Sequence, residues 1–212
     1  MLSQAQIDQF NRDGYLVVED LIRQPVREAV KAEYEELLDA LYAGWLSDGL
    51  VPKLAADATF WDKLDVAIKG GFDWYQPFDI SLPHDNITND TPMHFGPAVF
   101  DMVTSDRILD TVECLIGSEI TSNPIQHVRI KPPERDVKDG ETRAHIVSTD
   151  WHQDRAVTLE TADNTEMVTV WLAITDATVE NGCLQVKPGR TPEMIPHCSM
   201  TQVGITKKFL PK

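Results

Sequence analysis

Residues 166–175 read EMVTVWLAIT, and aliphatic side chains occupy every second position of this run from residue 168 onward. The aliphatic positions are Val168, Val170, Leu172 and Ile174. Because successive side chains of a strand point to opposite faces, these positions would share one face, and the mixed face around Trp171 would suit the lining of a cavity. The run therefore predicts a β-strand, and residues 183–187 predict a shorter strand that ends at Pro188-Gly189.

A candidate metal-binding pair lies upstream, in the stretch Trp151-His152-Gln153-Asp154. On an extended segment, side chains at positions i and i+2 share a face, so the His152 imidazole and the Asp154 carboxylate can converge. A second His would complete the set of two His and one carboxylate that leaves three positions of iron(II) open. Alone, a His-x-Asp pattern more often belongs to a surface loop that meets only water.

Three motifs together resemble the phytanoyl-CoA dioxygenase family of iron(II)- and 2-oxoglutarate-dependent oxygenases. They are IDQFNRDGY at residues 7–15, WHQD at residues 151–154 and ENGCLQVKPG at residues 180–189. Each motif alone is modest, but their order and spacing are specific, and the resemblance covers nearly the whole sequence. It implies an α+β fold with a mainly β core: a double-stranded β-helix, or cupin-like jelly roll, carried on an N-terminal helical scaffold.

The expected organisation is one 2-oxoglutarate oxygenase domain over residues 1–212. Residues 1–118 would supply the helical scaffold and the substrate loops, and residues 119–212 would supply the barrel strands with the metal motif. The resemblance also indicates that the domain is incomplete, because the family's last barrel strands would follow residue 212.

Local signals in the N-terminal half predict individual elements. Ser3-Gln4-Ala5-Gln6 is a capping-box pattern that begins a helix, and Gly14 would end it. Residues 15–18 predict a first strand. A long helix follows Pro25, with a core-facing stripe at Val26, Val30, Tyr34, Leu37, Leu38, Leu41 and Trp45. A further helix runs from about residue 106 to residue 116, and Gly117 would end it.

The resemblance also implies roles for five residues. His152 and Asp154 would be the first two iron ligands at the reacting centre. Lys131 would approach the carboxylate of 2-oxoglutarate, for which an ammonium group is suited. Gln153 lies between the two ligands, and Trp171 matches a position that lines the co-substrate pocket. The alternatives are a solvated strand end for Lys131 and an ordinary core aromatic for Trp171.

The sequence departs from the family pattern after residue 190. The distal His ligand and the Arg that pairs with 2-oxoglutarate are missing, because no Arg follows Arg190 and the only His after Asp154 is His197. His197 matches a loop over the cavity and not the position of the distal ligand. A barrel without its last strands would expose unpaired edges, so self-association through such an edge is expected.

The implied activity is hydroxylation of an unactivated carbon of a small organic substrate, with succinate and carbon dioxide as co-products. The alternative from another functional class is a non-catalytic barrel that acts as a binding or assembly protein. A zinc hydrolase fits less well, because such sites usually carry three protein ligands in another arrangement and an activating carboxylate.

Composition sets the remaining expectations. The 212 residues are 42% hydrophobic, which suits one globular core, and the formal charge of −15 argues against nucleic acid or an anionic membrane as a partner. No apolar run is long enough for a membrane span, and residues 1–6 do not resemble a signal peptide. We therefore expect a cytoplasmic protein with reduced cysteines and a small-molecule substrate.

Residues 70–97 are the expected source of substrate contacts, because they are rich in Gly, Pro and aromatic residues and would lie over the barrel mouth. The candidates in this segment are Phe72, Trp74, Tyr75, Phe78, His84 and His94. The alternative is that the aromatics pack on the scaffold. His84, His94, His127 and His145 lie outside the matched motif and are not expected to bind the metal.

Overall fold

A computed structural model of the chain describes residues 1–83, 86–124, 126–132, 140, 146–147, 151–152 and 165–189. The regular elements of these residues are helices. They are α1 (Gln4–Asp13), α2 (Gln24–Ser47), α3 (Phe60–Gly70), α4 (Pro97–Val103) and α5 (Asp106–Ile116), with 3₁₀ turns at Gln76–Phe78 and Val179–Asn181.

Helix α2 is the centre of the hydrophobic core. Its buried side chains are Val30, Tyr34, Leu38, Tyr42 and Trp45. Their spacing of three or four residues places them on one face, which packs against α3 and α4, and α4 in turn packs against α5. The predicted core stripe is confirmed. Tyr42 is also buried on this face, and its hydroxyl is satisfied by a hydrogen bond that it donates to the Pro52 carbonyl oxygen at 2.8 Å.

The helix ends follow local capping chemistry. In α1, the Ser3 hydroxyl accepts a hydrogen bond from the Gln6 amide at 3.4 Å, while the Gln6 side chain accepts one from the Ser3 amide at 2.9 Å. Gly14 ends α1 with a φ of 77°, as predicted. Helix α3 was not predicted, although Thr59 and Asp62 form a second capping box at its start.

The prediction of a mainly β, jelly-roll core is wrong for the described residues. None of them belongs to a strand, including residues 15–18, 166–175 and 183–187, for which strands were predicted. With other described residues, residues 166–175 form no backbone hydrogen bond of the kind that joins neighbouring strands. The inference of a double-stranded β-helix that lacks its last strands therefore finds no supporting sheet in the part of the chain that the structure describes.

The alternation at residues 166–175 reflects which side chains are buried, and it does not reflect pairing with a neighbouring strand. Val168, Leu172 and Ile174 are half-buried and pack against the helical core, whereas Val170 is 42% exposed. A pattern of period two selects which side chains face a core, but a sheet also needs a second segment to accept and donate its ladder hydrogen bonds.

No helix among the described residues is both long enough and apolar enough to cross a membrane.

Candidate functional site

Lys131 lies beside one of the three sequence motifs, at Gly182. Its ammonium group donates a hydrogen bond to the carbonyl oxygen of Val147. Its alkyl chain passes Gly182, where an added Cβ would lie 3.2 Å from Lys131 Cδ. Lys131 and Val147 are half-buried, and Ile146 next to Val147 is buried. The structure therefore brings Lys131 against the turn that carries the ENGCLQVKPG motif.

The turn at residues 178–182 has a fixed internal geometry. The Asn181 side chain accepts a hydrogen bond from the Thr178 amide at 2.5 Å and donates one to the Asp176 carbonyl oxygen at 2.5 Å. Gly182 follows with a φ of 81°, a left-handed conformation that glycine adopts without steric cost. The Asn-Gly pair thus accounts for the shape of the turn that faces Lys131.

Asp79 anchors the segment that leads to Lys131, and sequence reasoning did not identify it. Only 2% of Asp79 is exposed, and among the described residues it is the one charged residue that is fully buried. Its carboxylate accepts hydrogen bonds from the amides of Ile80 at 2.9 Å and Val128 at 3.2 Å, and its Oδ2 lies 2.7 Å from Nδ1 of His127. The Tyr75 hydroxyl donates to the Val128 carbonyl oxygen at 2.6 Å, so both backbone polar groups of Val128 are held.

Burial in this region suppresses ionisation of two tyrosines. Burial raises the pKa of Tyr34 well above its ordinary value, and the nearby Glu33 and Asp79 carboxylates add to the shift. Burial likewise raises the pKa of Tyr75, with a further contribution from Asp79. Both hydroxyls therefore remain neutral donors, Tyr34 to the Phe78 carbonyl oxygen at 3.0 Å and Tyr75 to Val128.

A second pair, the half-buried Glu33 with His94, holds the start of α4. Glu33 Oε1 lies 3.0 Å from His94 Nε2, and Glu33 Oε2 accepts a hydrogen bond from the Ala98 amide at 2.7 Å. That amide belongs to the first turn of α4, where backbone donors lack helical partners. Gly96 lies so close that an added Cβ would be 1.8 Å from Glu33 Oε1.

The aromatic residues expected to contact substrate pack in the core instead. Trp74, Tyr75 and Phe78 are 3%, 1% and 0% exposed, and the half-buried Phe72 lies with its ring centroid 5.1 Å from that of Trp45. The interpretation that these aromatics pack on the scaffold is therefore the one that the structure supports. His84, in the same segment, lies outside the described residues.

Trp171 lines an open cleft against α2. The cleft has a volume of about 550 Å³ and is lined by Arg27, Lys31, Trp171, Ala173, Ile174, Thr175, Asp176 and Ala177. Trp171 is 42% exposed and is not an ordinary core aromatic. Lys131 does not line this cleft, so the two residues expected to meet 2-oxoglutarate have different surroundings.

The metal motif is described only in part. Trp151 is half-buried and His152 is exposed, whereas Gln153 and Asp154 lie outside the described residues, as do His145 and His197. Among the residues that are described, no three His, Cys, Asp or Glu side chains form a group that could hold a metal ion. An imidazole nitrogen and a carboxylate oxygen are donors that suit iron(II), and the convergence of His152 with Asp154 stays a prediction.

Comparison with known proteins identifies the family. The phytanoyl-CoA dioxygenase (PhyH) family model matches residues 10–191, a range that includes Lys131, the motif at residues 151–154 and the turn at Gly182. Searches of curated proteins and of solved structures find no match. Because the family model spans well over half of the 212 residues, the chain belongs to the phytanoyl-CoA dioxygenase family, a family of oxygenases.

Proposed function

We propose that this protein is an iron(II)- and 2-oxoglutarate-dependent oxygenase that hydroxylates an unactivated carbon of a small organic substrate. The observation that carries the proposal is the family match over residues 10–191, which includes every residue to which a role was assigned. Those residues are Lys131, His152, Gln153, Asp154 and Trp171.

His152 and Asp154 are the proposed metal ligands, as neutral imidazole and as carboxylate. Iron(II) bound there with 2-oxoglutarate would supply the activation of dioxygen, with succinate and carbon dioxide as co-products. The exposed position of His152 is compatible with the binding of an ion that arrives from solvent. The two residues account for two ligands, and a third donor would complete the set.

Lys131 is the proposed partner of the 2-oxoglutarate carboxylate, and Gln153 and Trp171 are proposed to line the co-substrate pocket. The surroundings of Lys131 support its role. Its alkyl chain is held beside Gly182, and its ammonium group donates a hydrogen bond to the Val147 carbonyl oxygen. A carboxylate is a stronger acceptor for an ammonium group than a neutral carbonyl oxygen, so 2-oxoglutarate could take over this hydrogen bond.

An anaerobic titration with iron(II) and 2-oxoglutarate tests the proposal through the visible charge-transfer band of the chelated co-substrate. We expect a band in the wild-type chain and in the control His145→Ala, a histidine outside the motif, and no band in His152→Ala. Lys131→Ala should retain the band but require more 2-oxoglutarate to reach it. The absence of a band in the wild-type chain would contradict the proposal and favour a non-catalytic binding protein.

A further inference from the structure

We propose that the cleft between α2 and residues 171–177 binds a small zwitterion, with a carboxylate at one end and an ammonium group at the other. The chemical class that fits is a free amino acid or a similar amine carboxylate with an apolar body. This inference rests on the proposed function, since the zwitterion would be the organic substrate of the oxygenase.

The charges of the cleft carry the first step. Arg27 and Lys31 lie four residues apart on α2, so their side chains share one face of the helix. Lys31 Nζ lies 3.1 Å from Glu28 Oε1, so Lys31 already has an ionic partner on α2. Among the described residues, neither the Arg27 guanidinium nor the Asp176 carboxylate forms a side-chain hydrogen bond or an ion pair, with each other or with another residue.

The cleft therefore presents one unpaired cation and one unpaired anion that do not neutralise each other. A guanidinium can hold a carboxylate through two parallel hydrogen bonds, and a carboxylate accepts strongly from an ammonium group. A ligand that carries both groups satisfies both residues at once, whereas a ligand with a single charge leaves one residue unmatched.

The smaller, apolar part of the lining sets the rest of the ligand. Trp171, Ala173, Ile174 and Ala177 contribute apolar surface, and the indole ring offers a face for stacking or for a cation. A volume of about 550 Å³ admits an amino acid with a side chain. 2-Oxoglutarate has no ammonium group to pair with the Asp176 carboxylate, so it would use only the cationic side of the cleft. The cleft therefore matches the organic substrate at both ends, and Trp171 would form the wall that this substrate shares with the co-substrate.

Calorimetric titration of the metal-free chain tests the inference independently of the oxygenase chemistry. The probes are L-phenylalanine and L-leucine, and each is compared with its amine without the carboxylate and its acid without the ammonium group. We expect both amino acids to bind, and each single-charge analogue to bind roughly tenfold or more weakly. 2-Oxoglutarate should bind more weakly than either amino acid.

Variants separate the two ends of the ligand. Arg27→Gln should abolish the preference for the amino acid over the amine, and Asp176→Asn should abolish the preference over the acid. Arg27→Lys, which keeps the charge but loses the two-pronged geometry, should fall between. The control Lys69→Gln, an exposed cation on α3, should change nothing.

Three results would overturn the inference: no binding of either amino acid up to about 10 mM, equal binding of the single-charge analogues, or tighter binding of 2-oxoglutarate. The last result would assign the whole cleft to the co-substrate. Because iron is absent from this assay, failure here leaves the charge-transfer titration as a separate test of the proposed function.

Discussion

The two histidine–carboxylate pairs differ in what they join. Glu33–His94 connects α2 with the segment before α4, so it lies wholly within the helical part of the chain. Asp79–His127 connects the loop after the Gln76–Phe78 turn with the segment that leads to Lys131. The Glu33 side chain is 13% exposed and that of Asp79 is 3% exposed. The more deeply buried carboxylate thus fixes the candidate site to the scaffold, and the other fixes the scaffold to itself.

The largest expected effect belongs to Asp79→Ala. This substitution would leave the Ile80 and Val128 amides and His127 without their acceptor, so it should lower the free energy of unfolding by about 3 kcal/mol. Urea unfolding measures the change. The control Asp65→Ala removes the partner of Lys69 at the surface and should cost less than about 0.5 kcal/mol. An equal decrease in the free energy of unfolding in both variants would mean that the buried Asp79 stabilises the protein no more than a surface aspartate does.

Gly96→Ala probes the other pair through steric conflict. The new Cβ would lie 1.8 Å from Glu33 Oε1 and 2.2 Å from His94 Nε2, so the pair must separate, at a cost of about 2 kcal/mol. Gly44→Ala is the matched control, because nothing lies within 4 Å of its Cβ in the interior of α2. It should stabilise the protein by roughly 0.5 kcal/mol. A thermal melt in which both variants shift in the same direction would contradict the close approach at Gly96.

Gly182→Ala tests whether 2-oxoglutarate binding at the candidate site can be weakened by a local change that Gly49→Ala in the helical scaffold does not reproduce. The substitution strains a φ of 81° and presses on Lys131 Cδ at 3.2 Å, so stability should fall by about 1.5 kcal/mol and 2-oxoglutarate binding should weaken. Gly49→Ala carries similar strain at a φ of 73° with nothing within 4 Å. It should lose stability without weaker binding, as measured by the charge-transfer titration. Equal 2-oxoglutarate binding in the two variants would mean that the contact with Gly182 does not position Lys131 for this role.

Thr59→Ala should give the smallest loss of stability of the four substitutions, because the capping interaction of Thr59 with Asp62 is exposed. Loss of the cap of α3 should cost about 1 kcal/mol at neutral pH. The Thr59 side chain, and next its amide, hold the pKa of Asp62 below its usual value. Asp62 therefore contributes stability above its unfolded pKa and loses it as the pH falls through the lower folded pKa.

The difference between wild type and Thr59→Ala should accordingly narrow below about pH 4. Chemical unfolding at pH 7 and pH 3 measures it. A difference that stays constant across this range would show that the hydroxyl acts without the carboxylate.

Local signals in the sequence predicted the elements whose causes are local. The Ser3 and Gln6 capping box, the stripe of α2 and the stop at Gly117 each depend on residues within a few positions of one another, and each is confirmed. Helix α3 carried the same kind of signal at Thr59 and could have been found.

Features that depend on distant segments could not be predicted in this way. Asp79 has the same appearance in the sequence as a surface aspartate, because its partners His127 and Val128 lie 48 and 49 positions away. The prediction of a strand at residues 166–175 was wrong for a related reason. The alternation indicated which face is buried, but it could not indicate whether a second strand pairs with this segment. Of the candidate site, Lys131 and Gly182 lie together, and the convergence of His152 with Asp154 stays a prediction.

The close approach at Gly96 also restricts how this sequence can diverge. A side chain at position 96 would meet both Glu33 Oε1 and His94 Nε2, so the conflict disappears only when smaller residues occupy both positions 33 and 94. Substitutions at these three positions should therefore be accepted most readily in one order during evolution, with positions 33 and 94 changing before position 96.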